Sequence, residues 1–178
     1  MSKATMARIK LQTENTNHPE IKSVFDEIKE KVDHVPAAYR AFALHPHILQ
    51  ANWNRTKNIL GQGNIAIEIK ESIATRVSKV NGCDFCLQIH KANLEKLGLA
   101  PAEVEAIENG KVKDKALDLV LKFVGTATKE PSQLTDADFE RLKEYGYMDE
   151  DILEILTVME MYTGYNKIIV ALGLKVDD

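Results

Sequence analysis

The sequence predicts an all-α protein, and three observations carry that expectation. Apolar residues recur at three- and four-residue spacings from about residue 19 onward, runs of alternating apolar and polar residues are absent, and Pro or Gly punctuates the chain between the periodic stretches. A first helix fits 19–32, with Ile21, Val24, Ile28 and Val32 on one face and Phe25 beside them. Pro36 opens a short helix holding Tyr39 and Phe42. Pro46 starts the next, through Ile48, Leu49, Trp53 and Ile59 to Leu60, because a first helical turn has N–H groups without intrahelical partners and so tolerates proline. Gly61-Gln62-Gly63-Asn64 is a break.

The next helix is expected over 65–80, with Ile67, Ile69, Ile73, Val77 and Val80 as a broad apolar surface, closed by the turn signal Asn81-Gly82. A helix over 83–97 follows and stops at Gly98 and Pro101; a short one over 103–108 ends at Asn109-Gly110. Residues 114–128 place Leu117, Val120, Leu121 and Val124 on a common face before Pro131. Thr135 with Asp138 reads as a capping signal for a helix through Tyr145. The last helix, 149–172, is apolar nearly all round, which calls for burial in the fold or in a subunit interface. Segments 65–98 and 149–173 are alike in having acidic starts, apolar bodies and Leu-Gly-Leu ends; a degenerate helical duplication and shared helical composition account for this equally well. The chain is expected to form a single compact domain, 1–178, with an N-terminal arm over 1–18.

With 178 residues, 44% hydrophobic and 28% charged, the composition is that of an ordinary globular domain. The net charge of −4 and the scattered basic residues argue against a nucleic-acid partner. No apolar run approaches the ~18 residues of a membrane span, and the amino terminus lacks a signal-peptide core, so a cytoplasmic location is expected. In that compartment a close cysteine pair points to catalysis, redox chemistry or metal binding before it points to a permanent staple.

The pair is Cys83 and Cys86, the only cysteines in the chain, followed by His90. Residues at i, i+3 and i+7 share one helical stripe, and a cysteine at a helix start faces unpaired N–H groups and the positive end of the dipole, which favour a thiolate. His90, one turn beyond Cys86, is placed to take its proton. Glu71, on the preceding helix, is the candidate carboxylate to orient the imidazole; Glu68 competes, and reads better as a solvated charge. His18, His34, His45 and His47 read as surface or capping residues, Trp53, Tyr162 and Tyr165 as core, and Met148, Met159 and Met161 as packing residues.

A glutamate, eleven intervening residues, Cys-x-x-Cys, then three residues and a histidine: Glu71, Cys83, Cys86 and His90 in this arrangement resemble the carboxymuconolactone decarboxylase superfamily, in its alkylhydroperoxidase D-like branch. Leu44-His-Pro46, Ser78-Lys-Val-Asn81-Gly and Tyr165-Asn166-Lys167 extend the resemblance over most of the chain. It implies a helical peroxidase-related homo-oligomer, trimeric or hexameric, needing no cofactor. Cys86 would be the thiolate that attacks a hydroperoxide, Cys83 the resolving cysteine, and a dithiol reductant, thioredoxin-like or lipoylated, the source of electrons. Phe85 departs from members with a histidine just before the second cysteine, so a relay through such a histidine is not present. The decarboxylase namesake does not depend on a cysteine pair. The other readings are a non-enzymatic redox sensor and a metal site in which two thiolates, His90 and Glu71 hold zinc.

Overall fold

The computed structural model describes residues 7–176, and the described residues contain no strand. They form nine α-helices, α1 (Pro19–Val32), α2 (Ala37–Phe42), α3 (Pro46–Gly61), α4 (Ile67–Val80), α5 (Asp84–Lys96), α6 (Pro101–Asn109), α7 (Lys115–Lys129), α8 (Asp136–Glu144) and α9 (Asp149–Leu172), with a 3-10 turn at Pro131–Gln133. The all-α expectation holds. The chain divides into two compact units, one built from the chain up to Asn58 and from Ile169 onward, the other from Ile59–Ile168.

In the first unit, α1 buries Ile21, Val24, Phe25 and Ile28. Val32, expected on that face, is 45% exposed, because Asp33 turns left-handed and ends the helix there. The Trp53 indole donates to Glu27 Oε2 at 2.8 Å and meets the Tyr39 ring edge-on. Lys57 reaches the same carboxylate oxygen, and its hydrogen bond, followed by that of Trp53, holds Glu27 below its ordinary pKa. The first six residues of the arm expected over 1–18 lie outside the described residues. Its remainder is fastened by backbone bonds, from Arg8 N–H to Leu172 O and from Gln12 N–H to Arg40 O.

The second unit is organised on α4, which packs against α5, α6 and α7. Leu94, Val104, Ile107 and Leu121 form a fully or nearly fully buried cluster, with Leu99, Val112 and Leu117 against it. Each such side chain contributes roughly 1.5–3 kcal/mol on burial. Glu108 on α6 ties the helices together by binding Lys79 of α4 at 2.7 Å and Lys91 of α5 at 2.6 Å. Those two lysine hydrogen bonds set its carboxyl below the usual range.

Two expectations for this unit are corrected. Helix α4 starts at Ile67, not 65, and Ile67 is exposed; its buried face carries Lys70, Glu71, Ser72, Thr75 and Ser78 beside Ile73, Ala74 and Val77. Hydropathy alone misplaces that face, because polar side chains are buried on it with partners inside the protein: Lys70, Glu71 and Ser78 on neighbouring elements, Ser72 and Thr75 on carbonyls of α4 itself. Met148 is 60% exposed and not a packing residue: it stands at the start of α9, its N–H bonded to Asp151 Oδ2, with its side chain in solvent. The Thr135 and Asp138 cap is present, with Thr135 N–H and Oγ1 both reaching Asp138 Oδ2. In α9, Ile152, Ile155, Val158, Met161, Tyr162 and Tyr165 are buried, while Leu153 and Ile168 remain exposed. No helix of the described residues is long and apolar enough to cross a membrane.

Candidate active site at the Cys83–Cys86 pair

The junction of α4 and α5 places both cysteines. Helix α4 ends in a Schellman turn: Gly82, at φ +66°, donates its N–H to Lys79 O, and Cys83 donates to Ser78 O at 3.0 Å. A β-carbon at residue 82 would strain that left-handed step, which is why Asn81-Gly82 serves here. Cys83 is thus the last residue of one helix end and the N-cap of the next. Its sulfur accepts the N–H of Cys86 at 3.4 Å, as a capping oxygen does elsewhere.

Cys83 and Cys86 are paired in a disulfide, with Cα atoms 5.4 Å apart, and both are buried. One turn further along α5, His90 Nδ1 lies 2.7 Å from Glu71 Oε2, and both side chains are nearly inaccessible to solvent. The same carboxylate oxygen accepts from Asn93 Nδ2 at 3.2 Å. The Tyr162 ring stands edge-on to the imidazole, with centroids 4.4 Å apart. The structure brings the candidate Glu71 to His90 and leaves Glu68 exposed one turn earlier on α4. The expected thiol–imidazole contact is not among the described hydrogen bonds; with both sulfurs in the disulfide, there is no thiol proton to share.

Engaging Nδ1 with a carboxylate fixes the imidazole orientation, leaves Nε2 as the exchangeable nitrogen and stabilises imidazolium when it forms. Such a pair next to a helix-capping dithiol can move protons to and from sulfur. Among the described residues, no three His, Cys, Asp or Glu side chains are arranged to hold a metal ion. His18, His34, His45 and His47 are exposed.

Sequence reasoning missed Asn93, Tyr162 and Asn166. Asn93 was open to detection, lying three residues beyond His90 on the same face. Asn166 is a polar residue on an otherwise apolar buried stripe of α9, itself a signal; its Nδ2 donates to Ser78 Oγ at 3.1 Å and its Oδ1 accepts from Asn81 at 3.0 Å. Nothing in the sequence brings Tyr162 to His90.

Fold and site together define a helical protein with a capped Cys-x-x-Cys pair and a buried Glu–His partner. Residues 46–112, which contain all four site residues, match the carboxymuconolactone decarboxylase family. That match is confined to this stretch of the chain, and the fold is of the alkylhydroperoxidase D-like type. An uncharacterized peroxidase-related protein from Silicibacter sp. TM1040 superposes with a TM-score of 0.88 at 24% identity, over 98% of this chain and 94% of that one. The alkylhydroperoxidase AhpD core from Ralstonia eutropha JMP134 gives 0.88 at 21%, with the same coverage. The debrominase Bmp8 gives 0.83 at 19%, over 97% and 94%. In sequence, the uncharacterized protein YdfG of Bacillus subtilis (strain 168) is 25% identical over 116 residues, 63% of this chain and 78% of that protein.

Proposed function

We propose that this chain is a thiol-dependent oxidoreductase that reduces hydroperoxides through Cys83 and Cys86. The observation that carries the reading is the buried 2.7 Å Glu71–His90 pair one turn from a cysteine pair at a helix N-terminus. In the reduced protein, His90 takes the Cys86 proton. The thiolate attacks the outer peroxide oxygen, the O–O bond breaks, the alcohol leaves with a proton and Cys86 becomes a sulfenic acid. Cys83 then attacks that sulfur, water leaves and the disulfide forms. A dithiol, from a thioredoxin-like or lipoylated protein, restores the pair by exchange. Self-association, as a trimer or hexamer, belongs to the same proposal; exposed Leu153 and Ile168 on α9 support it, and sedimentation measures it.

A second acceptor is favoured by Phe85, which replaces a relay histidine, and by the aromatic Tyr162 edge beside His90. With a brominated aromatic as acceptor, the two electrons of the dithiol would convert a C–Br bond to C–H, releasing bromide and a proton and leaving the disulfide. One experiment separates the readings. Reduced protein is mixed with a slight excess of cumene hydroperoxide or of a bromopyrrole, and free thiols, intact mass and product are followed in the parent, Cys83→Ser and Cys86→Ser. Loss of both thiols with alcohol formation, abolished in Cys86→Ser and halted at a sulfenic acid in Cys83→Ser, is the expected result. Thiols inert to peroxide but oxidised by the bromopyrrole would replace it with the second reading, and inertness to both would overturn the oxidoreductase.

A further inference from the structure

We infer that Asn166 is a positioning residue for Cys83, setting how readily the Cys83–Cys86 disulfide forms; this rests on the dithiol reading proposed above. Asn166 is completely buried, and its amide is used at both ends, donating to Ser78 Oγ and accepting from Asn81 Nδ2. Its two partners flank the Schellman turn. Ser78 is the residue whose carbonyl receives the Cys83 N–H, and Asn81 is the C-cap just before Gly82. A single α9 side chain therefore grips both sides of the loop that delivers Cys83 to its capping position.

Ser78 and Asn166 have no exposed surface, so each lost hydrogen bond leaves a buried polar group without its partner. The turn would relax to regain one. Closing a disulfide across Cys-x-x-Cys requires the two Cα atoms within about 4.4–6.8 Å and their Cβ vectors converging. A turn already fixed loses little freedom when the bond forms, whereas a loosened turn loses more, so the equilibrium moves toward the dithiol.

The test is a redox titration of the whole protein in glutathione buffers, in which disulfide plus two glutathione thiols gives dithiol plus glutathione disulfide. The disulfide fraction is read by thiol labelling and intact mass. Asn166→Ala severs both bonds, and Asn81→Ala severs one by removing its half-buried partner. Val104→Ala, in the α5–α6–α7 core, is a control for lost stability alone. In Asn166→Ala the disulfide-to-dithiol ratio at fixed poise is expected to fall about tenfold, equivalent to ~30 mV. Asn81→Ala should move it in the same direction by about threefold, and Val104→Ala should leave it unchanged despite a lower Tm. A cycling parent whose poise is kept by both asparagine variants, or shifted equally by Val104→Ala, overturns the inference alone. A parent that forms no reversible disulfide overturns the dithiol reading and the inference with it.

Discussion

Lys70 and Glu71 are neighbours on α4, both buried, both paired with an ionisable side chain on another helix, and the difference between the two pairs separates architecture from chemistry. The Lys70 ammonium is enclosed by Ile59 O at 2.8 Å, Gln62 O at 2.5 Å and the Glu154 carboxylate at 2.6 Å. Glu154 in turn accepts the Asn64 and Ile65 amides at the loop before α4, so the pair pins that loop to α9. Every partner is fixed and nothing is left to exchange. Glu71 instead faces an imidazole, whose second nitrogen has no hydrogen bond among the described residues. A saturated charge holds structure; a pair with one open nitrogen can carry a proton.

The largest expected effect breaks the first pair. Lys70→Ala removes the buried ammonium and leaves the partly buried Glu154 without its counter-charge, and should cost up to about 3 kcal/mol of unfolding free energy, measured by urea denaturation. The double variant Lys70→Met with Glu154→Leu should recover most of that loss, since an apolar pair of similar volume replaces a buried ion pair well. Failure to recover would mean that the loop before α4 needs the carboxylate itself. Acid sharpens the same point. Burial pushes the Glu154 carboxyl upward, but the hydrogen bonds from Lys70, Asn64 and Ile65 outweigh it, leaving the net pKa below the ordinary 4.5. A carboxyl depressed in the folded state stabilises fully above its unfolded pKa and loses that contribution as pH falls through the folded one. Urea midpoints of the parent should therefore drop more steeply between about pH 5 and pH 3 than those of the double variant.

The second pair should respond in rate and not in stability. Glu71→Gln keeps the shape and a hydrogen bond to His90 but removes the charge that stabilises imidazolium. Thiol loss on mixing with hydroperoxide should slow by roughly 10²-fold, at the lower end of general acid–base contributions. The urea midpoint should move little. A large stability loss with an unchanged thiol rate would make Glu71 a second Lys70.

This contrast also marks how far the sequence could be read. Helices α1, α3 and α9 begin within the bounds their proline, spacing and capping signals predict, because those signals are local. Glu71 is a candidate partner of His90 from its place on the preceding helix and from the family resemblance, and the contact itself is seen only in the structure. Lys70 was invisible: a lysine between Ile69 and Glu71 reads as a solvent-facing charge, and its burial depends on two loop carbonyls and a glutamate 84 residues away. Exposed Met148 and Ile67 were misread for the converse reason, since hydropathy records what a side chain prefers and not whether a neighbour arrives to cover it. Tyr162 reaches His90 only through the packing of α9.

The smallest expected effect tests how strictly the Glu71 carboxylate must be aimed. Asn93 donates to the same oxygen that His90 contacts, at 3.2 Å from a half-buried position on α5. That oxygen therefore has two partners, and removing one leaves the pair intact but freer to rotate. Asn93→Ala should lose about 1 kcal/mol of orientation, a hydrogen bond's usual net worth, and slow the thiol reaction about fivefold. In a Glu71→Gln background the same change should add almost nothing, because Asn93 acts only through that carboxylate. Stopped-flow rates on the four proteins of this cycle give the coupling directly. Fully additive effects would place Asn93 in contact with something other than Glu71 during the reaction, whereas strong coupling would make the Asn93–Glu71–His90 chain one proton-handling unit, in contrast to the closed ion pair one residue earlier on α4.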